Sequence, residues 1–175
     1  MKKILVAVDE TKGSTSVLAF FRNMVRPPEE VILLYVQRLE GASLMIDMLS
    51  DTELATLREA MEGTEHKEAL DRKAERILAH YKREFETRGL FRIKTICREG
   101  VPAEQILKVA AEEGADLILA GSNGKQGLDR LITGSVSRDL QLNATVPVVV
   151  VKSPAGKVEE QIEAHLGNLV LKQGI

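Results

Sequence analysis

The residues best suited to chemistry form one block, Gly121-Ser122-Asn123-Gly124, followed after residues 125–133 by Gly134-Ser135-Val136. Glycines at such a point let the backbone turn sharply and approach a ligand with no Cβ in the way. Successive N–H groups in a turn of this kind form an anion-binding concavity. Gly134 and Ser135 open a helix, and the free N–H groups and dipole at a helix start favour phosphate. Ser122 and Ser135 add hydroxyl donors. Asp9 closes the first apolar run and offers a carboxylate to a hydroxyl or an amine. It also suits an Asx-type turn or a helix cap. The chemistry on offer is the holding of a phosphorylated small molecule.

Other site chemistries lack their residues. The chain has no G-x-x-x-x-G-K-[S/T] and no G-x-G-x-x-G, which disfavours conventional P-loop kinases and dinucleotide dehydrogenases. It has no G-x-S-x-G elbow, no H-E-x-x-H and no paired C-x-x-C. His66, His80 and His165 stand apart on helical patterns and read as surface residues. Cys97 is the one cysteine, so no intramolecular disulfide can form, which fits a reducing compartment. In its apolar stretch it reads as a small buried hydrophobe.

The elements that position these residues follow from apolar patterning. Ile4–Val8, Val31–Val36, Phe91–Cys97, Asp116–Ala120 and Val146–Val151 read as strands of a buried parallel sheet. The third alternates Arg92 and Lys94 with Ile93 and Ile96, as an edge strand does. Helical spacing marks Ser14–Arg26 and Glu65–Arg88. Pro102 suits the first turn of the next helix and Gly114 its C-terminal stop. A last helix begins at Gly134-Ser135. This alternation predicts an α/β fold, a doubly wound five-stranded parallel sheet in the order 3-2-1-4-5 with helices on both faces. Ligands of such sheets bind at the carboxyl ends of the strands where the order reverses. Residues 38–63 form an insertion, with a capping-box pattern at Ser50-Asp51-Thr52-Glu53. Residues 153–175 form a tail with helical apolar spacing.

Composition narrows the class. Hydrophobic residues make up 44% and charged residues 29%, as in a globular domain. A net charge of -2 argues against general nucleic-acid binding, which needs a clustered positive field. The apolar run at the start ends at Asp9, too early for a signal core, and no stretch is long enough for a membrane span. The expected location is the cytoplasm.

The G-x2-G-x9-G-[S/T] spacing between the fourth strand and Thr145–Val151 resembles the universal stress protein family. So do Ile4–Asp9 with Thr11, Ser14 and Leu18 behind them, and Gly100–Leu107. The resemblance covers residues 1–152, read as one nucleotide-binding domain. It implies ATP, accompanied by Mg2+ or Mn2+, at the open end of the sheet. Ala7, Asp9 and Val36 would then line the adenosine side, with Thr11 among the nucleotide-binding residues. Gly121, Ser122, Asn123, Gly124, Gly134, Ser135 and Val136 would take ribose and phosphates. Asn123 stands where His or Arg is common in the family, and Glu10-Thr11 replaces the usual Gly-Ser, adding a negative charge at the pocket mouth. Both departures predict weaker hold on a triphosphate.

The implied role is an ATP-binding regulatory protein of the stress response, at most a slow ATPase, read by protein partners the sequence does not name. The family commonly pairs its last strand across a two-fold axis. Val148–Val151, four valines at a sheet edge, are therefore expected to form a homodimer. The alternatives are a nucleotide-free dimeric interaction module of the same fold and an adenylyl-transferring or nucleotide-hydrolysing relative.

Overall fold

The computed structural model describes residues 2–10, 12–22, 27–37, 50, 52–53, 56, 59–60, 63–87, 89, 92–122 and 135–152. The elements are β1 (Lys3–Ala7), α1 (Lys12–Arg22), β2 (Glu30–Gln37), α2 (Glu65–Glu86), β3 (Arg92–Glu99), α3 (Pro102–Glu113), β4 (Leu117–Ser122), α4 (Ser135–Asn143) and β5 (Val148–Lys152). All strand pairings are parallel and the order is β3-β2-β1-β4-β5, as the alternation predicts.

Local chemistry explains the boundaries. The Thr64 hydroxyl accepts from the Lys67 N–H at 3.2 Å and caps α2, with Glu65 and Glu68 in the positive first turn. Pro102 opens α3, and Gly114 ends it at φ 64°, a left-handed conformation costly for a residue with a Cβ. Ser50 and Glu53 form the expected capping box, with the Ser50 N–H donating to the Glu53 carboxylate at 2.8 Å. Helix α1 begins earlier than its apolar pattern, at Lys12, and residues 23–26 of the expected span lie outside the described residues.

Two cores hold the layers. Val17, Leu18 and Phe21 of α1 and Ala74, Leu78, Tyr81 and Phe85 of α2 pack on one face, against Ile4, Val6, Leu33 and Leu119. Phe21 and Phe85 meet edge to face at 4.8 Å. Ala103, Ile106, Val109 and Ala110 of α3 and Leu140 of α4 cover the other face, against Leu5, Ile32, Leu34 and Ile118. The backbone N–H groups of Lys2 and Lys3 donate to Asp116 Oδ2 at 2.6 and 2.9 Å, fixing the start of β1 beside β4. Those bonds hold the Asp116 carboxyl below its ordinary range.

Cys97 corrects the sequence reading. It is exposed rather than buried, because β3 is the outermost strand and only Ile93, Ile96, Glu99 and their like are even half covered. Desolvation at its sulfur, followed by the nearby Asp71 and Glu99 carboxylates, raises the thiol pKa. A thiol held protonated is a poor nucleophile.

Candidate functional site

Strand order creates the site. β1 lies between β2 and β4, and the helices that follow β1 and β4 leave to opposite faces of the sheet. Ala7 pairs in register with Leu34 on one side and Ala120 on the other. The carboxyl ends of β1, β2 and β4 therefore meet at one rim, the position where doubly wound sheets hold ligands. Ala7, Val36 and Val136 all pack partly buried against the same core cluster, and Gly121 and Ser122 end β4 beside them. Ser122 is buried.

Asp9 follows β1 and is partly buried. Its backbone N–H donates to Ser14 Oγ at 2.8 Å, and the Ser14 hydroxyl donates to Asp9 Oδ1 at 2.6 Å. These bonds tie the end of β1, at Asp9, to the first turn of α1. Behind it stands Tyr81 of α2. Burial raises the phenol pKa, while hydrogen bonds with Thr15 and Ser14 pull it back. Sequence reading placed Tyr81 only in an apolar stripe, although a phenol in such a stripe needs a polar partner.

Glu10 does not hang free at the rim. Its Oε1 lies 2.8 Å from Lys73 Nζ of α2, so the extra negative charge carries its own counter-ion. Both side chains are partly exposed, so the pair contributes little to stability. Its effect is on local charge.

Ser135 opens α4. Thr11, Asn123, Gly124 and Gly134 lie outside the described residues, as does His165. His66 and His80 are exposed. No helix among the described residues is long and apolar enough to cross a membrane.

The fold matches known proteins. The family model described as "Universal stress protein family" matches residues 1–152. The chain belongs to the universal stress protein family. Universal stress protein MJ0577 of Methanocaldococcus jannaschii is 32% identical over 157 residues, spanning 86% of this chain and 94% of its own. The solved structure of MJ0577 superposes with a TM-score of 0.65 at 31% identity, over 86% of this chain and 95% of that one. Two more distant structures share the fold. A family protein of Arabidopsis thaliana, solved with AMP bound, has a TM-score of 0.60 at 18% identity, covering 89% and 94% of the two chains. The Archaeoglobus fulgidus universal stress protein in complex with dAMP has a TM-score of 0.52 at 22% identity, covering 87% and 98%.

Proposed function

We propose that this protein binds an adenine nucleotide, ATP in the first instance, at the carboxyl ends of β1, β2 and β4, and acts as a regulatory protein of the stress response rather than as an efficient enzyme. One observation carries the reading: the sheet brings Ala7, Asp9, Val36, Gly121 and Ser122 to a single rim at its switch point. Asp9 accepts from a ribose hydroxyl or base amine, and the strand-end backbone at Val36 faces the base. The Gly121–Gly124 and Gly134–Val136 segments take ribose and phosphates, with Thr11 beside them. The bound AMP and dAMP of the Arabidopsis and Archaeoglobus proteins support an adenine ligand. Mg2+ or Mn2+ would ride on phosphate oxygens and water. Among the described residues no group of three or more His, Cys, Asp or Glu side chains is placed to cage an ion. We assign residues 1–152 as the binding unit, the cytoplasm as its compartment, and a homodimer through Val148–Val151 as its state.

Gly124→Val and Gly134→Val are expected to abolish Mg-ATP binding in titration calorimetry while leaving the circular dichroism spectrum unchanged. Wild-type affinity in both variants overturns the phosphate assignment.

The nucleotide-free interaction module keeps a place as second reading because of β5. Its four valines remain only half buried at the sheet edge, a surface for a partner that needs no nucleotide. Protein purified and stripped of nucleotide that still dimerises, and binds no ATP, supports that reading over the first.

A further inference from the structure

Alternation along the strands sorts the side chains at the rim between the two faces of the sheet. Ala7, Val36, Ala120 and Val148 pack against the cluster under α3 and α4, whereas Val149 and Val151 pack on the α1 and α2 side. Two residues beyond Ala120, Ser122 therefore turns its hydroxyl to the face of Ala7 and Val36. Lys152, four residues beyond Val148, leaves β5 on that same face. Ser122 and Lys152 are register partners at the carboxyl ends of β4 and β5, one strand spacing apart. Ser137 reaches this corner from the helix. It stands three residues before the fully buried Leu140, so both face the sheet from α4. α4 runs from the rim back to the start of β5, which puts Ser137 nearer the rim than Leu140.

All three side chains lack partners. Ser122 is 8% exposed and Ser137 4%, yet neither hydroxyl has a hydrogen-bond partner among the described residues. Both oxygens keep some accessible surface, since Gln37 Nε2 is the only unpartnered side-chain atom sealed from solvent among the described residues. Lys152 is exposed and forms no ion pair with a described residue, although every cation of β3 is paired. Buried hydroxyls are normally bonded, so a native corner that leaves two unmet is a place to look for a missing acceptor. Two O–H donors, an ammonium and the positive start of a nine-residue helix together call for an anion.

We propose that Ser122, Ser137 and Lys152 hold the terminal phosphate of the bound nucleotide and bias this site toward a triphosphate over a monophosphate. The inference rests on the nucleotide reading above. That reading puts the base beside Val36 of β2, and the order β2-β1-β4-β5 leaves three strand spacings to Lys152. Three spacings are about 14 Å, a reach that suits the end of a triphosphate chain better than the single phosphate of AMP. Lys152 also supplies the positive charge that Asn123 does not.

The test titrates the full chain, Lys152→Met and Ser137→Ala with ATP, AMP and adenosine in Mg2+ buffer at one ionic strength. Wild type is expected to hold ATP more tightly than AMP. Lys152→Met is expected to weaken ATP roughly tenfold, AMP less and adenosine not at all, because a charge-assisted bond is lost. Ser137→Ala is expected to weaken the ligands in the same order. Without ligand it is expected to melt no lower than wild type, since no hydrogen bond is broken. A purely structural Ser137 would lower the melting temperature and weaken all three ligands alike. Lys152 is exposed, so its variant is expected to fold whatever Ser137→Ala does. An unchanged ATP-to-adenosine ratio in Lys152→Met overturns the inference and leaves the nucleotide reading standing. A wild-type protein that binds none of the three overturns both.

Discussion

The two edges of the sheet are built to opposite rules. β3 reads RIKTICRE, and its basic residues are paired outward: Arg92 with Glu30 at 3.4 Å, Lys94 with Glu113 at 2.7 Å and Arg98 with Glu112 at 2.9 Å. β5 reads VVVVK, with each valine half buried and its only charge at the end. An exposed edge is a template for another strand, and a row of charges is the common protection. The ion pairs of β3 are largely exposed and each contributes about 0–1 kcal/mol. Stability therefore does not explain them. One edge is guarded by charge and the other is apolar, the arrangement that the proposed homodimer through β5 requires, since a closed dimer with a second sticky edge would grow into a fibre.

The comparison breaks most visibly at β5. Val149→Lys places a charge in the middle of the open edge, and light scattering is expected to show the mass fall from dimer to monomer. A monomeric wild type would remove the dimer. Loss of the dimer only on truncation at Ser153 would move the interface to the tail.

A lesser effect is expected when the guard is lifted instead. Lys94→Val with Arg98→Val gives β3 the character of β5, so each dimer carries further sticky edges. Species larger than the dimer should then appear and grow with protein concentration. A variant that stays dimeric at every concentration would show that something other than charge protects this edge.

The smallest effect separates guarding from stability. Lys67 lies at the carboxyl end of β3, mostly buried, bonded to Glu99 and Asp71. Burial alone would depress its pKa, but the bonds to Asp71 and Glu99 outweigh this and raise it above the ordinary 10.5. A raised folded pKa stabilises below the ordinary value and loses that contribution as pH rises through the folded one. Lys67→Met is therefore expected to cost roughly 1 kcal/mol near neutral pH. Urea unfolding should show this gap narrowing above the ordinary lysine range, with the dimer untouched. A constant gap across alkaline pH would assign the loss to packing.

The strands and their order were legible because each depends on neighbours in sequence. Apolar runs without alternation mark buried strands, Arg92 and Lys94 betray an edge, and Gly114 ends a helix because its own φ must be positive. The candidate site was legible in part. The order 3-2-1-4-5 brings Ala7, Asp9, Val36 and Gly121 together whatever their side chains do. Cys97 misled because its free-thiol type and apolar neighbours suggest burial, whereas exposure depends on which strand lies beyond β3, and among the described residues none does.

What remained for the tertiary structure is the pairing of polar groups distant along the chain. Nothing near Glu10 in sequence announces Lys73, and nothing near Asp9 and Ser14 announces Tyr81. Gln37 looks like an ordinary strand terminus until burial closes around it with its Nε2 unpaired among the described residues. The physical reason is range. Backbone conformation and apolar period are set within a few residues, so sequence determines them. A hydrogen bond or ion pair exists only where packing brings two groups within about 3 Å, and helix α2 decides that by where it lies across the sheet.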